Sequence, residues 1–248
     1  MILDIIMKRF SFGIILVLFS LTMGSVTAQE TPAQLSPPVD YVLARLWRNL
    51  QLQDFKLEGY VRTEKKKYPI VLRTKGREMV YEFQDQPLQL RVFLNSDQSV
   101  MAKRANSGEA WKPVIGKERL KAILDTDITY EDLGMEFLRW DEVKAVGKDS
   151  IKTLPTWVFE AKPNATQASS YTKAKYWVST QYYAFLQVDA FNSQGQVVKR
   201  VEVNGIQKIG VAYVIQEMQV STMIPGRDLS SSRTWIDIRK GEPGKSGI

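Results

Sequence analysis

The chain contains no histidine and no cysteine. Without histidine, the commonest side chain that titrates near neutral pH is missing, and with it the usual general base. Without cysteine there is no disulfide framework, no thiolate ligand and no lipidated residue behind an export signal. The usual zinc sites go with these two residue types, and neither a metal nor a cofactor is expected. A chain of 248 residues does not need covalent staples, because a domain of roughly 200 residues buries about 70% of its surface on folding. Long apolar runs are equally scarce. Past residue 28 nothing approaches the ~18 consecutive apolar residues of a membrane span.

The exception lies at the start. Met7-Lys8-Arg9, the apolar stretch "FSFGIILVLFSLTMGSV" and the small-residue end Val26-Thr27-Ala28 have the order of a secretory signal peptide. The expectation is cleavage after Ala28, with Met7 as an alternative start and the periplasm as destination. A retained membrane anchor is the alternative, but the run ends in a cleavage-like site and not in basic stop-transfer residues. The formal charge of +7 is spread among acids and lacks a nucleic-acid-binding motif. It suits solubility or loose contact with anionic headgroups, and no nucleic-acid partner is expected.

Four segments follow from this point: the signal (1–28), a Pro-rich leader (29–38), one domain (39–240) and a Gly- and Pro-rich disordered tail (241–248). Residues 36–51 read as a helix, capped by Ser36, with Val39, Val42, Leu43, Leu46 and Leu50 on one stripe. From Phe55 the period changes to two. Segments such as "YPIVLRTKG", "LQLRVFLNS", "TWVFEAKP" and "GVAYVIQEMQV" recur at about ten-residue spacing between turn residues, the pattern of an antiparallel meander. About ten or eleven strands in one sheet must curl. The expected fold is therefore mainly β (α+β): one curled antiparallel sheet, a half-open β-barrel, covered by helices acting as a lid.

The second helix candidate is the acidic stretch "LKAILDTDITYEDLGMEFLRW". Its Asp-x-Asp-x-Thr run resembles the nucleophile motif of haloacid-dehalogenase-type phosphotransferases, but that chemistry needs the end of a parallel strand, and the surroundings are meander. Asp125, Asp127, Thr129, Glu131 and Glu136 also match EF-hand positions 1, 3, 5, 7 and 12, yet Tyr130 stands where the loop needs glycine. The remaining reading is a helix start. Asp127 or Thr129 caps, Glu131 and Asp132 meet the positive end of the helix dipole, and Thr129-x-x-Asp132 approximates a capping box. Tyr130, Leu133, Phe137 and Leu138 then form one apolar stripe. Carboxylate pairs and Ser-Lys dyads remain chemically available, but no motif marks them, and the chain is not expected to be an enzyme.

"TDITYEDLGMEFLRW", a "WVFEAKP" strand, "YTKAKYWVSTQYYAFLQVDAFNSQGQVVKRVEV" and "GRDLSSSRTWIDI" together resemble the outer membrane lipoprotein-sorting protein family, relatives of the periplasmic LolA and LolB carriers. The resemblance spans roughly residues 41–239, and its most specific part is 127–133 with Trp177 and Lys199-Arg200. It implies a half-open barrel round an apolar cavity that shelters the acyl chains of a lipoprotein or lipid. It also implies a lid-latching arginine, for which Arg62, Arg73 and Arg91 all lie on suitable strands. The partners it implies are an inner-membrane export complex and an outer-membrane acceptor, for a protein acting as a monomer.

The candidate ligand-binding residues are thus the lid side chains Tyr130, Leu133, Phe137 and Leu138, facing sheet residues Tyr81, Phe83, Leu90 and Val92. The alternative function is a non-carrier interaction or sensor module of the envelope, associated with an export pump. An envelope hydrolase using acids between Asp125 and Asp132 is a third and weaker reading.

Overall fold

In the computed structural model the described residues are 37–49, 52–95, 98–164, 169–210 and 212–244. The expected signal peptide, its cleavage site and the Ser36 cap lie outside them. The first helix, α1, runs Val39–Asn49, and Leu50 and Gln51 of the expected helix also lie outside the described residues. Pro38, which has no N–H to contribute, sits just ahead of it, and its carbonyl accepts from the Val42 N–H.

Thirteen strands follow among the described residues: β1 (Leu52–Thr63), β2 (Lys67–Gly76), β3 (Glu78–Phe83), β4 (Leu88–Leu94), β5 (Ser99–Arg104), β6 (Lys112–Pro113), β7 (Glu142–Ile151), β8 (Leu154–Lys162), β9 (Lys173–Ser179), β10 (Phe185–Phe191), β11 (Val197–Ile209), β12 (Ala212–Met223) and β13 (Ser230–Pro243). All are antiparallel and belong to one sheet, ordered β6-β5-β4-β3-β2-β1-β13-β12-β11-β10-β9-β8-β7. Two meanders, each pairing neighbours in sequence, are joined where β1 meets β13. The edges β6 and β7 do not pair with each other, so the sheet is a curled, half-open one.

The count exceeds the expected ten or eleven by the two edge strands. β6 is only two residues long, and no residue of β7 is buried. An edge strand that buries none of its residues has little alternation to read. At the other end, β13 extends through Pro243, which pairs with Phe55, so the expected tail begins inside a strand. The close approach of β1 to β13 needs Gly59. A bulge falls between Glu58 and Gly59, and a β-carbon there would stand 2.1 Å from the Asp237 carbonyl oxygen.

Alternation places Tyr68, Ile70, Leu72, Met79, Tyr81, Phe83, Leu90 and Val92 on the inner face. The register packs them in rows, with Leu72 opposite Tyr81 and Tyr81 opposite Leu90. This first cluster extends through β1 and β13. A second cluster lies over β8–β10 and is roofed by Val42 and Leu46 of α1, with Leu138 and Trp140. Trp47 and Met135 touch both.

Candidate functional site

Residues 122–140 cross the inner face, but not as one helix. The helix α2 (Tyr130–Gly134) has five residues and ends at Met135, which adopts a left-handed conformation with φ 49° and ψ 42°. A 3-10 turn, Glu136–Arg139, follows. The expected single stripe is therefore split. Tyr130 and Leu133 join Tyr81, Phe83, Leu90 and Val92 in the first cluster, whereas Leu138 is buried in the second with Phe137 packed against it. Arg139 stabilises the break. Its guanidinium donates to the carbonyls of Gly134 (2.7 Å), Met135 (3.2 Å) and Asn95 (2.6 Å) and stacks on Trp47 at 4.4 Å.

Each acid of the segment has its own partner. Thr129 is the cap: its N–H donates to Asp132 Oδ2 (2.8 Å), and the Asp132 N–H donates back to Thr129 Oγ1 (3.2 Å). Asp127 instead fastens the segment to the sheet. Its carboxylate accepts from the hydroxyls of Thr222 (2.6 Å), Thr234 (2.9 Å) and Ser232, and its N–H donates to Thr234 Oγ1 (2.8 Å). Glu131 accepts from Ser169 and Ser170. Glu136 holds the Ser99 hydroxyl and Arg119. Asp125 pairs with Lys66. Carboxylates turned to five different sets of neighbours do not form a calcium loop, and in an antiparallel sheet they do not form the phosphotransferase site either.

Lys199 of β11 is a buried cation on the sheet side of this region, 8% exposed. Its ammonium donates to Asp132 Oδ2 (3.1 Å) and to the Asp127 carbonyl. The Tyr171 hydroxyl donates to Asp132 Oδ1 (2.8 Å), and burial together with that carboxylate holds the phenol far above its usual titration range. Burial pushes the Tyr81 phenol up to about 12, so the first cluster stays uncharged. Lys199 and the Thr222, Ser232 and Thr234 hydroxyls were not among the expected site residues. The signal for Lys199 was nevertheless present, since it occupies the phase of Val197, Val201 and Val203 in "VVKRVEV", a lone cation on an apolar face. Arg62, Arg73 and Arg91 latch nothing here. Arg73 and Arg91 pair with Glu82 and Glu78 on neighbouring strands, while Arg62 reaches past β13 to Glu217 of β12 and stacks on Trp235.

The crossing segment nearly fills the space beneath it. A cavity of about 30 Å³ remains, lined on the sheet side by Ala174, Val188, Ala190, Lys199 and Val201 and on the other by Glu131, Asp132, Glu136 and Phe137. That is room for a water or so, against the roughly 300 Å³ or more of an ordinary ligand pocket. A larger cleft, about 490 Å³, lies outside at the β1–β2 turn and is lined by Lys66, Lys67, Asp85, Gln86 and Asp125 together with Tyr68 and Leu124, a mostly polar and charged lining.

The model of a protein family described as "Uncharacterized protein" matches residues 108–243. No curated protein matches the chain. Among solved structures, a putative outer membrane lipoprotein-sorting protein domain from Vibrio parahaemolyticus aligns with a TM-score of 0.69 at 12% identity, over 84% of this chain and 94% of that one. A DUF1329 family protein from Desulfovibrio piger aligns with a TM-score of 0.65 at 14% identity, over 86% and 95%. A LolA superfamily protein from Nitrosomonas europaea gives 0.57 at 12% identity, over 84% and 94%. The chain thus shares the fold of these three structures.

Proposed function

We propose that this chain, which belongs to the protein family whose model matches residues 108–243, is a periplasmic carrier that holds acyl chains of a lipoprotein or lipid between the sheet and the crossing segment. In this role it receives cargo from an inner-membrane export complex and passes it to an outer-membrane acceptor, acting as a monomer and without catalysis. The observation that carries the reading is the manner of covering. The apolar inner face lies under a segment that is broken at Met135 and tied down by separate polar anchors, chiefly Asp127 to β12 and β13.

The magnitudes are compatible with ligand-driven opening. Uncovering Tyr130, Leu133 and Leu138 costs about 1.5–3 kcal/mol each, roughly 5–9 kcal/mol in all. Sheltering a chain of about sixteen carbons is worth on the order of 10 kcal/mol before ordering costs, at ~0.8 kcal/mol per methylene. Tyr130, Leu133, Phe137 and Leu138 would exchange their contacts with the sheet, including those to Tyr81, Phe83, Leu90 and Val92, for contacts with the acyl chain.

One observation favours a second reading. The closed form leaves about 30 Å³, so a segment that never lifts would make the chain a non-carrier interaction module of the envelope. Mass spectrometry of protein purified from membrane-containing extract separates the two. A carrier retains acyl species, more of them in an Asp127→Ala variant, and repeated empty spectra from both proteins would leave only the module.

A further inference from the structure

The sheet beneath the cavity carries an unusual row. Ala161 pairs with Ala174, Ala174 with Ala190 and Ala190 with Lys199, so three buried alanines on β8, β9 and β10 run in register to a single ammonium on β11. Large side chains fill the equivalent face of the first meander. Small ones here leave an apolar trough, and the about 30 Å³ of free space lies along it, bounded by Ala174, Ala190 and Lys199. Beside it stands Tyr176, fully buried, two residues from Ala174 on the same strand face. Its ring packs against Phe137 at 5.6 Å, and its hydroxyl has no hydrogen-bond partner among the described residues. A buried hydroxyl left unpaired is costly and marks a place where a polar group of something else fits.

The charges are divided in a telling way. Asp127, Glu131, Asp132 and Glu136 all belong to the crossing segment, whereas Lys199 belongs to the sheet. Lifting the segment carries its carboxylates away together and leaves Lys199 without Asp132 at the end of an apolar floor, where the anionic group of a ligand can take that place. In the closed form Asp132 supplies it at 3.1 Å.

The geometry points to Asp132 as a stand-in for the ligand's own head group: Lys199 receives the anionic end of an acyl-chain ligand whose tail lies along the Ala190, Ala174 and Ala161 trough. This inference rests on the acyl-binding reading above and narrows its ligand to an anionic amphiphile. Tyr176 lies along the tail, where its free hydroxyl serves a carbonyl or hydroxyl carried by the ligand.

Binding of dodecanoate and of dodecanol, followed by the fluorescence of Trp47 and Trp140, tests it. The whole chain should bind the carboxylate roughly ten- to a hundredfold more tightly than the alcohol, the range of one charged hydrogen bond. Lys199→Arg should keep that ratio, and Lys199→Met should bring it close to one. Because Lys199→Met leaves Asp132 buried without its cation, the pair Lys199→Met with Asp132→Asn provides a variant with neither charge, and it too should show a ratio near one. Equal binding of both probes by the unaltered chain, or a preference that survives loss of Lys199, overturns the assignment while leaving acyl binding intact. Binding of neither probe, even by Asp127→Ala, removes the acyl-binding reading and this inference with it.

Discussion

Replacing Asp127 with alanine distinguishes a helix cap from a fastening. A cap residue is worth about 1 kcal/mol, and Thr129 holds that position here. Asp127 instead accepts three hydroxyl hydrogen bonds from β12 and β13, at 2.6 Å from Thr222, 2.9 Å from Thr234 and a third from Ser232. Hydrogen bonds to a charged acceptor are worth about 1.5–3 kcal/mol each when buried. Asp127 is half-buried and the freed hydroxyls of Thr222 and Ser232 can turn to water, so a total of about 2–4 kcal/mol is the reasonable figure. Hydrogen exchange by mass spectrometry reads it directly. Amides of 122–139 should exchange roughly thirtyfold to a thousandfold faster in Asp127→Ala, with those of β2–β4 much less affected. Asp127→Asn keeps the shape and loses the charge, and should show about half the free-energy effect. If Asp127→Ala changes exchange no more than Thr129→Ala, or if both meanders loosen equally, the segment is ordinary core and not a fastened cover.

Two further changes probe its supports. A β-carbon on Gly134 would lie 2.5 Å from Ser99 Oγ and 3.1 Å from Met101 Cε, so Gly134→Ala should cost about 1–3 kcal/mol in urea unfolding and speed exchange in the 3-10 turn; an unchanged midpoint would mean that Ser99 and Met101 yield freely. Leu46 of α1 is 1% exposed, and Leu46→Ala should cost about 2–5 kcal/mol, with a fall in thermal midpoint by circular dichroism, whereas a cost below ~1 kcal/mol would mean that α1 is only loosely docked.

The sheet was legible because period-two alternation is local: "LQLRVFL" shows which residues point inward. The break at Met135 was not. Tyr130, Leu133, Phe137 and Leu138 fit a continuous helix equally well, and the break is held by contacts that periodicity does not show: Arg139 grips the carbonyls of Gly134 and Met135 within the turn and that of Asn95 from outside it. The partners of Asp127 were hidden for a related reason. Thr222, Ser232 and Thr234 are ordinary strand residues until the β12–β13 register brings Thr222 opposite Ser232 and the segment crosses above them. Local pattern named the acids, and only long-range pairing told a cap from a fastening.

The meeting of β1 with β13 has a consequence for how the chain is made. Every other pairing joins strands that follow each other in sequence, so each meander can assemble from local hairpins. The seam cannot. β1 is the first and β13 the last of the strands among the described residues, and the second edge of β1 stays open until β13 is in place, the interval in which an unpaired edge is most exposed to other chains. That one distant contact carries a far larger loop-closure cost than the local hairpins do.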